Sequence, residues 1–541
     1  MDHRHPPDAD RGELDAVVVG AGFAGLYMLY RLREMGLRTR VFEMGSDVGG
    51  TWYWNRYPGA RCDSDSMDYS YSFSEELLQE WEWTSRYPDQ AEILNYLRHV
   101  ADRFDLRRDI QFDTRVTAAH FDDTTQRWAV TTEQGQHLTA KYVVMATGCL
   151  SAQQVPQMPG LESFRGDWYH TGGWPHQGVD FTSKRVGIIG TGSSGIQAIP
   201  VIAEQANHLY VFQRTPNYSL PARNGPIDPE RVRELKARYV EYRKEIRYSR
   251  GGSGVPAPTK SALEVSPDER QRAYEAAWAR GGIGFGSTFT EMTINKEAND
   301  IAAEFVRSKI RATVHDPEVA EALCPYSYPI GTKRVCLDTN YYETYNRPNV
   351  TLVDLRKTPI EAITPDGLRT SDTEYALDSI VFATGYNAMT GALLAVDIRG
   401  RGGQPLRERW EAGPRSYLGI GIAGFPNLFT ITGPGSPSVL TNMPVAIEQH
   451  VEWVSDCVAY LEERCLATIE PAPAAEDAWV EHVSELGNAT LFPLANSWYM
   501  GANVPGKPRV FMPYVGGLGV YTRHCEQIAA NGYEGFVLTA G

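Results

Sequence analysis

Two stretches of the chain carry the same alternation of apolar and polar positions: a short apolar run rich in β-branched residues, a glycine turn, then apolar residues recurring at three and four. The first leads from residues 16–19 through Gly20-Ala21-Gly22-Phe23-Ala24-Gly25 into a helical pattern over 26–35. The second leads from Arg185–Ile189 through Gly190-Thr191-Gly192-Ser193-Ser194-Gly195 into 196–205, 170 positions later. A lone GxGxxG is often only a turn. Strand, glycine turn and helix together predict a dinucleotide-binding unit, because the glycines let backbone N–H groups approach a pyrophosphate at the positive end of a helix.

The strand after each helix separates the two units. The strand over 38–42 ends at Glu43, where an acid accepts hydrogen bonds from ribose hydroxyls and disfavours a 2′-phosphate, so the first site suits FAD or NAD. The strand over 209–212 ends instead in Gln213-Arg214-Thr215, and an arginine there pairs with a 2′-phosphate, which favours NADP. Buried strands ending in Ala146-Thr147-Gly148 and Ala383-Thr384-Gly385 close the units. The predicted fold class is α/β, with two Rossmann-like dinucleotide-binding domains.

Strand signals fade over 221–330. Asp228-Pro229 opens a helical pattern with Val232, Leu235, Tyr239, Tyr242 and Ile246 on one face, Ser266-Pro267-Asp268-Glu269 reads as a capping box, Gly281 stops that helix, and another spans 296–311. The expected organisation is a discontinuous first domain (1–150 and 386–541), a second domain (151–220 and 331–385) and a helical insertion (221–330). Gly49-Gly50-Thr51-Trp52 and the aromatic-rich run 55–63 are expected as loops over the first cofactor. The stretch 491–509, rich in glycine and proline, is expected as a mobile loop that folds over a ligand.

Composition narrows the class. At 541 residues the chain exceeds any minimal binding module, and a formal charge of -15 lacks the footprint of a nucleic-acid binder. Seven scattered cysteines, never spaced CxxC, argue against a disulfide framework, a metal site and a redox dithiol. The polar N-terminus and the short, glycine-rich longest uncharged stretch predict a soluble cytoplasmic protein without membrane contact, with a monomer as the default expectation.

Between the two glycine loops stands Phe164-Arg165-Gly166-Asp167-Trp168-Tyr169-His170-Thr171-Gly172-Gly173-Trp174-Pro175. It fits FxGxxxHxxxWP at Phe164, Gly166, His170, Trp174 and Pro175, and with the loops on either side it resembles the fingerprint of the Baeyer-Villiger monooxygenases. The turn from Gly433 to Met443 is similar to that of the phenylacetone and steroid monooxygenase branch.

The resemblance implies conversion of ketones to esters or lactones with dioxygen and NADPH, through a flavin C4a-peroxide. It implies FAD at Gly20, Gly22, Gly25, Glu43, Gly50, Thr51, Trp52 and Asp63. It implies NADPH at Gly190, Gly192, Ser193, Ser194, Gly195, Arg214, Thr215 and Lys333, with the Trp498 indole on the nicotinamide nucleotide. Arg334 is then the catalytic cation, oriented by Asp63 and touching both cofactors, while Ser438, Val439 and Leu440 line the substrate pocket. The same reading gives His170 a part in coupling domain motion, although a histidine in such a stretch is more often structural. Two alternatives stand: a flavin N- or S-oxygenating monooxygenase, whose fingerprint lacks the closing Trp-Pro pair, and a flavoprotein electron donor to a protein partner, which the acidic charge permits.

Overall fold

The computed structural model describes residues 12–540. Its first sheet is built outward from strand Glu13–Val19, which pairs in parallel with Thr39–Phe42 on one side and His137–Met145 on the other. Ala16, Val17, Val18 and Val19 are all buried, as a strand covered on both faces must be, and this explains a continuous apolar run without alternation. Strand Leu428–Thr430 joins His137–Met145 in parallel, so the C-terminal part of the chain re-enters the first domain. On the same edge of His137–Met145, nearer its start, the antiparallel strands Arg127–Thr132 and Val116–Asp122 extend this sheet.

The second sheet is wholly parallel, in the order Val350–Asp354, His208–Gln213, Arg185–Ile189, Ser379–Phe382, Asp167–His170. A third of the FxGxxxHxxxWP stretch, Asp167–His170, is therefore the edge strand of the second sheet, not a free connection. Helices Phe23–Glu34 and Ser193–Gln205 follow the two glycine turns and cover their sheets. In doubly wound sheets ligands bind beyond the carboxyl ends of the strands, where both glycine turns lie.

The helical stretch differs from expectation in one respect. The apolar run from Val232 to Ile246 forms two helices, Pro229–Lys236 and Tyr239–Arg247, with a break at Ala237-Arg238. The first buries nothing fully, whereas the second turns Tyr239, Arg243 and Ile246 onto the first domain. There the Arg243 guanidinium donates to the carbonyls of Asp68 and Ser70, each at 2.7 Å, and pairs with buried Glu448. A continuous helix could not reach that site, so tertiary contacts override the local pattern. Helix Pro267–Arg280, capped by Ser266 and ended by Gly281, and helix Lys296–Thr313 instead pack Tyr274 and Phe305 into the core of the second domain. Helices Pro473–Asn488 and Leu518–Ala530, and the strand pair Leu466–Pro471 and Phe536–Ala540, complete the first domain and are not foreshadowed by the apolar pattern.

Candidate active site

The two glycine turns repeat one geometry. Gly20 and Gly190 have φ of 106° and 110°, a conformation that L side chains rarely adopt, and a Cβ on either would strike the carbonyl of Ala146 or Ala383 at the end of the neighbouring strand. Gly25 and Gly195 bring each helix against the carbonyl of the first glycine. The middle glycines differ. A Cβ on Gly22 would meet the Gly50 Cα at 3.3 Å, so the Gly49-Gly50-Thr51-Trp52 loop folds over the first turn. A Cβ on Gly192 would meet only Asn217 Nδ2, at 3.9 Å, and would otherwise fill the open cradle where a pyrophosphate fits.

Glu43 lies buried at the end of its strand and accepts from the N–H of Ala21 inside the glycine turn and from that of Gly45, both at 2.7 Å. Burial pushes its pKa up and these two N–H groups oppose the shift. A carboxylate has lone pairs beyond those two, which fits ribose hydroxyls. Trp52 is buried with its indole N–H on the Tyr69 hydroxyl at 3.2 Å, while Thr51 is exposed at the start of the short helix Thr51–Trp54.

In the second unit Ser193 is exposed, Ser194 and Thr215 are half-buried, and the Thr191 hydroxyl donates to the Thr215 carbonyl at 3.1 Å. Arg214 is exposed and Lys333 half-buried beside it. Burial and then repulsion from Arg214 lower the Lys333 pKa to about 8, with no acid compensating. The ammonium rests 4.5 Å from the centroid of the Tyr328 ring. Two neighbouring cations without a compensating acid fit a phosphate dianion, so these residues suit NADPH and not NADH.

Asp63 and Arg334, 271 positions apart in the chain, form a bidentate pair: Arg334 Nε donates to Asp63 Oδ2 at 2.9 Å and Nη2 to Oδ1 at 2.7 Å. Nη1 donates to the carbonyl of Val439 at 3.2 Å. Asp63 comes from the loop of the first domain, Arg334 from the segment leading into strand Cys336–Asp338, and Val439 from the short turn Ser438–Leu440. Asp63 raises the pKa of Arg334, so the guanidinium stays charged in its half-buried place. The turn carrying Val439 is strained, with φ of 43° at Ser438, as backbone near reacting groups often is.

Tyr499, which no local pattern singles out although its neighbour Trp498 is expected at the nicotinamide, is buried beside Arg334; its phenol is pushed up to about 12 by burial, against the guanidinium. Trp498 is half-buried with its ring 4.2 Å from that of Tyr499. Both join Val439, Leu440, Cys149 and Met389 in an apolar cluster separate from the domain cores. The loop that holds them is anchored: Lys507 Nζ donates to Asn387 Oδ1 at 2.8 Å and to the Ala388 carbonyl at 2.7 Å, and Asn503 Nδ2 to the Tyr386 carbonyl at 2.6 Å.

The FxGxxxHxxxWP residues do not touch this pair. Phe164 packs into a small cluster on the second sheet, and Gly166 is required because a Cβ would come within 2.5 Å of the Asp378 carbonyl. His170, aligned with Phe382, is buried; its Nδ1 accepts from the Gly172 N–H at 3.0 Å, and burial lowers its pKa, keeping the ring neutral. Trp174 is buried against Tyr169 and Phe181, with Pro175 half-buried after it.

A family model described as flavin-binding monooxygenase-like matches residues 15–224. A Baeyer-Villiger monooxygenase of Pseudooceanicola batsensis is 46% identical over 97% of this chain and 96% of its own. The chain belongs to the Baeyer-Villiger monooxygenases. Members of this family are FAD- and NADPH-dependent and convert ketones to esters or lactones with dioxygen, and the two glycine turns fit those two cofactors. The solved structure of an oxidized steroid monooxygenase bound to NADP superposes with a TM-score of 0.94 at 55% identity, covering 98% of this chain and 100% of that one. The phenazine N-monooxygenase of Lysobacter antibioticus is 43% identical over 98% of both chains. Full-length likeness to oxygen-inserting enzymes sets aside the electron-donor alternative. No helix among the described residues is long and apolar enough to cross a membrane, and no group of metal-ligating side chains occurs among them.

Proposed function

We propose that Arg334, held by Asp63 and Val439, is the fixed charge that stabilises the anions of the Baeyer-Villiger reaction in this chain. The bidentate Asp63–Arg334 pair, formed where the two nucleotide-binding domains meet, carries this reading. Asp63 and Val439 take three of the five guanidinium N–H groups, so two remain for a substrate oxygen. The flavin supplies the oxygen chemistry when bound; the protein's part is a cation that needs no rearrangement as negative charge develops on the ketone oxygen. Gly20, Gly22, Gly25, Glu43, Gly50, Thr51 and Trp52 hold the FAD. Gly190, Gly192, Ser193, Ser194, Gly195, Arg214, Thr215 and Lys333 hold the NADPH, and the Trp498 indole closes on its nicotinamide end.

The substrate is a ketone with apolar flanks, because Val439, Leu440, Met389 and Trp498 line the approach to the guanidinium. Bulky or cyclic ketones are consistent with the likeness to a steroid monooxygenase. The phenazine N-monooxygenase relative favours a second activity, oxygen transfer to an aromatic nitrogen. No oxyanion forms at carbon in that reaction, so it should depend less on Arg334.

Arg334→Ala tests the assignment. NADPH-driven flavin reduction should persist while ester formation falls by a factor on the order of 10²–10³, the usual cost of one preorganised charge stabiliser. Full ester yield from the variant would show that another group holds the charge.

A further inference from the structure

Helix Ser193–Gln205 touches both segments that carry the pair. Its first residue, Ser193, places Oγ 3.2 Å from Cys336 Sγ, two residues after Arg334. One turn later Gln197 reaches the loop that carries the other half. Its Oε1 accepts from the Tyr57 hydroxyl at 2.8 Å, and its Nε2 donates to the carbonyl of Arg61, two residues before Asp63, at 3.0 Å. A carbonyl can only accept, so the amide has a single orientation that satisfies both partners. The backbone of Gln197 also packs on Gly59, where φ is 80° and a Cβ would strike the Gln197 carbonyl. Beside this contact the interface is not filled: a cleft of about 260 Å³ lies between Arg61, Cys62, Gln197, Val201, Leu337 and Asn340. The Asp63 loop is tied on its far side to the segment 87–90, where the Cys62 N–H donates to the Pro88 carbonyl and the Gln90 N–H to the Ala60 carbonyl, each at 3.0 Å; on the side of the helix the cleft leaves the Gln197 amide as its side-chain tie to the second domain.

We propose that Gln197 is a positioning residue for the Asp63–Arg334 pair, through which a helix that receives the NADPH pyrophosphate at its first turn sets the place of Asp63. The inference rests on the charge-holding role of Arg334. When NADP occupies the cradle at Gly192 the helix N-terminus is fixed, and the loop from Tyr57 to Asp63 is fixed with it. Enzyme with an empty nucleotide site would hold Asp63 less firmly. Loss of cofactor then weakens the same cation that a productive turnover needs.

The experiment uses the FAD-loaded enzyme and Gln197→Met, which keeps the volume and removes both hydrogen bonds. Amide hydrogen exchange of peptides covering 57–63 is measured with and without NADP⁺. In the wild type NADP⁺ should slow exchange there about tenfold, and in Gln197→Met the slowing should vanish, while peptides around Cys336 keep theirs. In turnover, NADPH-driven flavin reduction should change less than twofold, and the ratio of hydrogen peroxide to ester should rise about tenfold, the scale set by two ordinary hydrogen bonds. Gln197→Glu retains an acceptor for Tyr57 and should recover part of the loss, and Tyr57→Phe should reproduce part of it. A merely structural residue would lower flavin content, reduction rate and ester yield together. That pattern, or unchanged NADP⁺-dependent protection at 57–63, overturns the inference. Full ester yield in Arg334→Ala instead removes the role of the pair, whatever Gln197 does; loss in Arg334→Ala with no effect of Gln197→Met removes only the role of Gln197.

Discussion

Lys333 offers the sharpest test of the second nucleotide site, because its environment predicts how cofactor binding changes with pH. Burial and the facing Arg214 hold its pKa at about 8, below the usual value for a lysine. The shift is downward, so the charged form is present below pH 8 and is lost as pH rises through that value. About nine in ten Lys333 side chains carry a charge at pH 7 and about one in ten at pH 9. A bound 2′-phosphate, already a dianion above pH 7, draws the pKa back toward its ordinary range. NADP⁺ binding must therefore take up a proton at alkaline pH, and its Kd should rise about tenfold from pH 7 to pH 9. The assay is a titration of the FAD-loaded enzyme with NADP⁺ and with NAD⁺, followed by flavin absorbance, across that range. NAD⁺ lacks the phosphate and should show no such rise, and Lys333→Met should bind NADP⁺ weakly with a flat profile. A flat wild-type profile, or an equal rise for NAD⁺, would refute the assignment of Lys333 to the phosphate.

Individual contacts carry further consequences. Glu43→Ala leaves the N–H groups of Ala21 and Gly45 buried without an acceptor, at about 1–3 kcal/mol each. The variant should purify with a reduced flavin-to-protein ratio, and full flavin occupancy would contradict the role given to this acid. Gly192→Ala and Gly20→Ala should separate binding from folding. At Gly192 the backbone is extended and the added methyl enters open space, so the melting temperature should hold while KM for NADPH rises at least about tenfold. At Gly20, where φ is 106° and the Ala146 carbonyl would lie 2.6 Å from a Cβ, the protein itself should be destabilised by about 1–3 kcal/mol in denaturant titration. Equal melting temperatures for the two variants would mean that the first turn tolerates a side chain it is not built for.

The parts legible in the sequence are those whose cause is local. Residues 16–19 and 186–189 are apolar throughout because both faces of a parallel strand are covered, and the glycine turns that succeed them are local chain geometry. Glu43 and Arg214 could be placed because each ends the strand next to its turn, a fixed distance along the chain. Tyr499, Gln197 and Lys507 had no such signal. A buried tyrosine in a loop, a glutamine on an exposed helix face and a lysine among glycines and prolines look ordinary until a distant segment meets them. The break at Ala237-Arg238 was hidden for the same reason: residues 232–246 favour one helix, and only the carbonyls of Asp68 and Ser70 with Glu448 draw the second half aside.

By itself the chain determined that two nucleotide sites of unlike preference exist and that an arginine and an aspartate of the right types stand within it. Only the tertiary structure decided that Asp63 and Arg334 meet in two parallel hydrogen bonds, that a backbone carbonyl at Val439 completes the cation's setting, and that one helix of the second domain touches the segments carrying both partners. The physical reason is range: glycine conformation and strand burial are fixed by neighbours a few residues away, whereas an ion pair spanning 271 positions depends on how two separately built domains dock.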